Sequence, residues 1–328
     1  MNREERKKQK EIAKKIKAIN NSLTYLTKDM QSELDVLAVQ KDEYVYFCGN
    51  NLYKKIYMFH PASLGNKRVA FIKALTDRYN NRIRFSICSK NINGKISAYM
   101  FMTVSFEGEN YYEVRQIIEE FENSLMKNIC AFLGIKVETC SLENSLTYIY
   151  MNYSGELKKI NPEVLFGKDK AVKLFKEINN CSGGSFESLN RYGLSFVGKN
   201  YLHNTDGINY FMREHEGTYF VVVDFQGFNE EEQHVYELDT RNKYNLHNET
   251  AKNHLINMTY LFTALLSDSD SAKSFSDEFM RFYDNKGVLI MPAIGTEKKV
   301  FASSCSLGLV DYRSMQNASE EIIGGLLL

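Results

Sequence analysis

A chain of 328 residues and 38.0 kDa holds material for about two domains. With 44% hydrophobic and 13% aromatic residues it carries ample core, which excludes wholesale disorder. Its 41 basic and 41 acidic residues cancel, so no global field draws nucleic acid, and no run of apolar residues is long enough to span a membrane.

The neutral total hides one asymmetry. Residues 1–17 carry Arg3, Arg6, Lys7, Lys8, Lys10, Lys14, Lys15 and Lys17 against Glu4, Glu5 and Glu11, a net +5 that leaves −5 for the rest. Residues 1–37 read as a basic N-terminal helix. Ile12, Ile16, Ile19, Leu23, Leu26 and Met30 follow the a/d rhythm of a coiled coil, with Asn20-Asn21-Ser22 as a point of interruption. Lys7, Lys8, Lys14 and Lys15 are expected opposite that seam. There residues 1–19 suit an anionic membrane surface or nucleic acid, with an affinity that falls steeply with salt. A solvated helix face is the plainer reading. No apolar stretch follows the basic start, so no secretory signal is read. The expected location is the cytoplasm, peripheral to the inner face of the membrane if the helix engages lipid. Cys48, Cys88, Cys130, Cys140, Cys181 and Cys305 are scattered without a CxxC pair and read as reduced thiols.

Residues 38–155 form the first predicted lobe. Residues 44–48 and 53–59 read as a hairpin around Gly49-Asn50-Asn51, and residues 69–79 as a helix. Residues 82–88 and 96–106 make a second hairpin turning at Asn93-Gly94. Asn110 then caps a helix, with Glu113 as its capping-box partner and Val114, Ile117, Ile118, Phe121, Leu125, Ile129 and Phe132 along one side. Gly134 ends that helix, and residues 135–140 return as strand. The order ββαββαβ is a ferredoxin-like βαββαβ with one added strand. Tyr44, Tyr46, Tyr53 and Tyr57 are expected as an exposed stacking face, as on RRM-like sheets.

The boundary falls at residues 152–162, and residues 156–328 form the second lobe. It is read as a short helix at 169–179, a loop at 181–188 and a strand buried on both faces at 217–225. Helices at 250–266 and 271–284 follow, then a strand at 287–291 stopped by Pro292. Both halves alternate strands and helices, which leaves open whether the second is a degenerate copy of the first. The closing run Ile322-Ile323-Gly324-Gly325-Leu326-Leu327-Leu328 is read either as a strand tucked into a core or as the lead into a further C-terminal domain.

Specific chemistry is sparse. No phosphate-cradling P-loop and no nucleophile elbow occur. His203, Asp206, His215 and Glu216 form a metal site only if folding converges them. Asp224 stands at a predicted strand end, where α/β enzymes keep catalytic groups, with solvent exposure or turn capping as the alternative. No catalytic, cofactor-binding or metal residue is assigned, and no cofactor or small-molecule ligand is expected. Protein partners or self-association are.

The expected fold class is α/β (α+β) in two lobes. Three stretches place it further. They are 82–106 with 110–133 and 134–140; 217–225; and the run from Phe275 through Gly287-Val288-Leu289-Ile290-Met291-Pro292, Phe301, Leu307-Gly308-Leu309 and Tyr312-Arg313-Ser314-Met315. Their order resembles the N-terminal, pre-motor region of the VirB/TraC-type ATPases of conjugative type IV secretion systems. Walker A and Walker B motifs are absent, so the resemblance carries over no ATPase residue. It implies a non-catalytic assembly portion that docks on inner-membrane channel components and organises oligomers. The alternative is a free-standing nucleic-acid-binding or mobile-element structural protein built on ferredoxin-like lobes.

Overall fold

The computed structural model describes residues 3–76, 83–154, 157–167, 179–188, 191–198, 208–227, 255–285, 289–304 and 316–327. Helix α1 (Arg3–Asn20) leads through β1 (Thr24–Tyr25), α2 (Lys28–Leu34) and β2 (Ala38–Gln40) into a first unit. That unit holds β3 (Val45–Gly49), β4 (Leu52–Phe59), α3 (Pro61–Leu64), α4 (Arg68–Thr76), β5 (Ile83–Ile92), β6 (Lys95–Ile96) and β7 (Met100–Glu107). It closes with α5 (Tyr111–Glu122), α6 (Cys130–Leu133) and β8 (Val137–Thr139), the two helices being joined by the π-helical turn Asn123–Ile129. After α7 (Leu142–Ser154) comes a second unit of β9 (Asn179–Ser182), β10 (Ser185–Ser188), β11 (Arg191–Gly198), α8 (Ile208–Glu214), β12 (Thr218–Gln226), β13 (Leu255–Leu266), α9 (Ser269–Asp284) and β14 (Ile290–Pro292). Then follow α10 (Glu297–Ala302), β15 (Gln316–Ser319) and α11 (Glu320–Leu326).

Turn and cap chemistry sets the local geometry. Asn93 and Gly94 both take positive φ, 47° and 79°, the requirement of the tight turn between β5 and β6. Asn110 accepts from the Glu113 backbone N–H at 3.2 Å, while the Glu113 carboxylate takes the Glu109 N–H at 2.9 Å. Gly134 ends α6 at φ 63°.

All the described strands join one antiparallel sheet, along the path β1-β2-β3-β4-β7-β5-β12-β13-β11-β10-β9 with β8, β6, β15 and β14 alongside. Helices cover both faces, giving the α+β class in three layers. Phe71, Val114, Phe211, Phe275 and Ile323 bring α4, α5, α8, α9 and α11 onto one face. Met30, Leu146 and Phe301 bring α2, α7 and α10 onto the other.

The two units repeat one topology. The first reads β8-β4-β7-β5 across the sheet and the second β14-β11-β13-β12, each the 4-1-3-2 order of a ferredoxin-like βαββαβ. Their registers agree as well. The first four residues of each leading strand, 52–55 or 191–194, pair with the added strand. The last three, 57–59 or 196–198, pair with the short fourth strand. At the seam β5 and β12 pair from Phe85↔Phe225 to Ile92↔Thr218, so the sheet crosses between units unbroken. Superposing β4 on β11 through these registers runs a pseudo-two-fold axis through the Cys88–Val222 pair.

Several expected elements differ. The helix expected over 1–37 stops at Asn20, where the Ser22 hydroxyl closes the last turn on the Ile19 carbonyl at 2.7 Å. Leu26 and Met30 belong instead to the core under α2. Residues 255–266 form strand rather than helix. With Tyr260 and Phe262 buried on one face and Thr259 and Leu261 on the other, the run carries no readable period. Residues 181–188 are part of a hairpin, turned by Gly183 and Gly184 at φ 62° and 90°. The final apolar run is helical as far as Leu326. The Ser319 hydroxyl caps it, Ile323, Leu326 and Leu327 are fully buried, and Arg68 donates to the Leu327 carbonyl. The helix expected at 169–179 lies outside the described residues but for Asn179, which begins β9.

Gly193 is the tightest glycine in the sheet. A Cβ there would lie 2.1 Å from Cζ of Phe186, its cross-strand neighbour. Gly193→Ala is therefore expected to cost about 1–3 kcal/mol through overpacking. A urea midpoint equal to that of the native chain would contradict it.

Candidate docking helix and a buried polar row

Helix α1 is seated on the fold at its C-terminal end. Ile19 packs against the larger core, and Asn20 Oδ1 accepts from the Tyr112 backbone N–H at 2.9 Å, at the start of α5. Residues 5–15 are exposed, Ile12 at 52%. At 3.6 residues per turn, Arg6, Lys7, Lys10, Lys14 and Lys17 share an arc roughly 100° wide, opposite the line of Ile12, Ile16 and Ile19. Lys8 and Lys15 lie beside that line rather than opposite it, which corrects the expected grouping of Lys7, Lys8, Lys14 and Lys15. The Arg3 side chain lies outside the described residues.

Acidic groups gather where α1 is attached. Along α5 and its approach stand Glu107, Glu109, Glu113, Glu119, Glu120 and Glu122 against Arg115. Arg115 is held by Glu43 at 2.8 Å and Glu119 at 3.4 Å. Buried Lys55 pairs with Glu122 at 2.7 Å, and the Tyr57 hydroxyl donates to the same carboxylate at 3.1 Å.

The tyrosines do not make a stacking face. Tyr46 and Tyr57 are 0% exposed and Tyr53 4%, while Tyr44 is half-buried against the smaller core. Base-stacking needs the sheet face opposite the βαβ helices to be open. Here α2 and α7 cover that face over Tyr46, and Tyr53 and Tyr57 lie beneath α5 on the other.

Asp224 is neither at an exposed strand end nor a turn cap. It lies within β12 at 2% exposure, directly across from Ser86 on β5 and Thr259 on β13. Ser86 in turn faces Thr103 on β7, so Thr103, Ser86, Asp224 and Thr259 form one buried cross-strand row. Neither Asp224 oxygen nor the Thr259 hydroxyl has a hydrogen-bond partner. Such orphans are uncommon in a folded interior. Burial pushes the Asp224 carboxyl up to about 7. The Ser86 hydroxyl, which faces it without a well-formed hydrogen bond, and the Lys54 ammonium act in the opposite direction. The pseudo-two-fold places Lys90 at the equivalent position of the first unit. Its ammonium is satisfied by Asn152 Oδ1 at 3.3 Å. A carboxyl of this kind holds a proton below neutral pH and becomes a buried anion above it, loading the strand seam with the cost of that charge.

Of the residues considered for a metal, His215 is occupied by the Phe211 carbonyl at 3.0 Å and Glu278 at 2.8 Å, while His203 and Asp206 lie outside the described residues. Among the described residues no three metal-ligating side chains converge. No helix among them is long and apolar enough to cross a membrane. No protein-family model and no curated protein matches this chain.

Proposed function

We propose that this chain is a non-catalytic assembly domain that docks on an acidic surface through α1. One observation carries the reading: the C-terminal end of α1 is seated on the fold through Ile19 and Asn20 while residues 5–15, with most of its basic face, stand exposed. A lysine-rich helix of 18 residues with one buried end is marginal in water by itself, so a partner that neutralises it also stabilises it. The continuous duplicated sheet supplies a firm base for such an arm. This role is the one implied by the resemblance to the pre-motor region of VirB/TraC-type secretion ATPases, which would place the chain at the inner face of the membrane. For the nucleic-acid alternative, phosphate attraction along α1 is the remaining support once the tyrosine face is buried.

The test is charge reversal. Lys7→Glu, Lys10→Glu and Lys14→Glu together touch exposed groups, so the thermal midpoint should move little. Salt-sensitive association should be lost, both in sedimentation of the chain alone and in flotation with vesicles of about 30% anionic lipid. A native chain that binds neither itself nor such vesicles at low salt overturns the reading.

A further inference from the structure

We propose that the surface α1 docks on is α5 of a second copy of this chain, the two copies exchanging arms about a two-fold axis. The proposal rests on the docking reading above and names its partner. Charge selects the site. Residues 1–17 carry net +5, and the α5 stretch from Glu107 to Glu122 carries six glutamates against Arg115. Glu107 and Glu122 are paired with Arg84 and Lys55, and Glu119 shares Arg115 with Glu43, which leaves the exposed Glu109, Glu119 and Glu120 as the acidic face. No ion pair within the described residues involves Lys7, Lys10, Lys14 or Lys17. Within one molecule α1 meets α5 at its start, through Asn20 and Tyr112, while residues 5–15 stay exposed. The basic face is therefore displayed beside the acidic helix without being neutralised along it.

Arm and acceptor are neighbours on the same unit, and that makes the exchange reciprocal. A two-fold axis that brings the partner's α5 against this α1 also brings this α5 against the partner's α1. The contact is isologous and closes at two copies instead of growing into a filament. Reach is sufficient, because an 18-residue helix extends about 27 Å and the 12 residues of α5 about 18 Å.

The experiment is light scattering of the full chain at about 20 mM and about 500 mM salt. A dimer is expected at low salt and a monomer at high salt. Lys10→Glu/Lys14→Glu in the arm, or Glu119→Lys/Glu120→Lys in the acceptor, should each weaken dimerisation about tenfold or more. Mixing the two variants one to one should restore a dimer, because each reversed arm then meets a reversed acceptor. Circular dichroism confirms that each variant is folded, and the mixture rescues the result only if both are. A native chain that is monomeric at low salt, an acceptor reversal without effect, or a mixture that stays monomeric overturns the exchange. If the native chain is monomeric yet floats with anionic vesicles through α1, this proposal fails and the docking reading stands. If it does neither, both fail.

Discussion

Asp224→Asn is expected to make the protein more stable above neutral pH, by about 4 kcal/mol near pH 8.5, with a gain that fades as the pH falls towards 4. The sign follows from the raised carboxyl, moved from 3.8 to about 7 by burial. Below the unfolded value both states are protonated and the aspartate costs nothing extra. Between the two values the folded state binds more protons than the unfolded state, so stability falls as pH rises. Above about 7 the whole penalty is present. At 1.36 kcal/mol per pH unit the difference amounts to about 4 kcal/mol, and burial of the group leaves little solvent screening to reduce it. Asparagine removes the charge and keeps the volume. Urea unfolding of both proteins from about pH 4.5 to about pH 8.5 measures the effect. Parallel pH profiles for the two would mean that the carboxylate finds partners in solution and that the row is not strained by charge.

The second large effect concerns the seam. Phe121 packs against Tyr57, Phe85 and Phe106 in the first unit, with centroids at 5.8, 6.0 and 5.6 Å. Phe279 packs against Phe196, Phe262 and Tyr283 in the second, at 4.9, 4.4 and 4.8 Å. Truncating either to alanine removes a fully buried ring and is expected to cost about 3–5 kcal/mol. Both changes should lower the same single unfolding transition, because the paired strands β5 and β12 belong to one sheet and one hydrophobic core. Phe132→Ala, at a residue 90% exposed, should leave that transition where it is. Two calorimetric transitions, each answering to one substitution, would show that the units unfold independently.

What could be read beforehand follows the range of the interactions. Asn93-Gly94, Asn110 with Glu113, and Gly134 act over a few residues, and each appears where its chemistry puts it. The first-unit topology was legible because hairpin and helix signals came in order. The second unit was harder. The buried strand β13 is apolar on both faces, and length alone did not separate it from a helix. The repeat is faint in the sequence because equivalent positions hold unlike residues: Lys54 matches Gly193, Ser86 matches Phe220, and Lys90 matches Asp224.

The strand preference of the tyrosine-rich segments was visible, but not their burial, which comes from α2 and α7 over Tyr46 and from α5 over Tyr53 and Tyr57. In α1 the charges were plain, whereas the isoleucine rhythm ran on past Asn20 and overextended the helix. Asp224 left a weak signal. An aspartate following Val221-Val222-Val223 and preceding Phe225 continues a run buried on both faces, so the burial was readable and the missing partner was not.

The seam also sets a problem of timing during synthesis. Until its partner is made, β5 is an edge strand that presents ten residues of open backbone, with Ile83, Phe85 and Ile87 making one face largely apolar. About 125 residues separate its last residue, Ile92, from Thr218, the first residue of β12. At about 5–20 residues per second a ribosome needs roughly 6–25 s to cover that distance. The first unit must spend that interval with its stickiest edge bare, and it is in this window that a nascent chain would seek out the same edge on a neighbour.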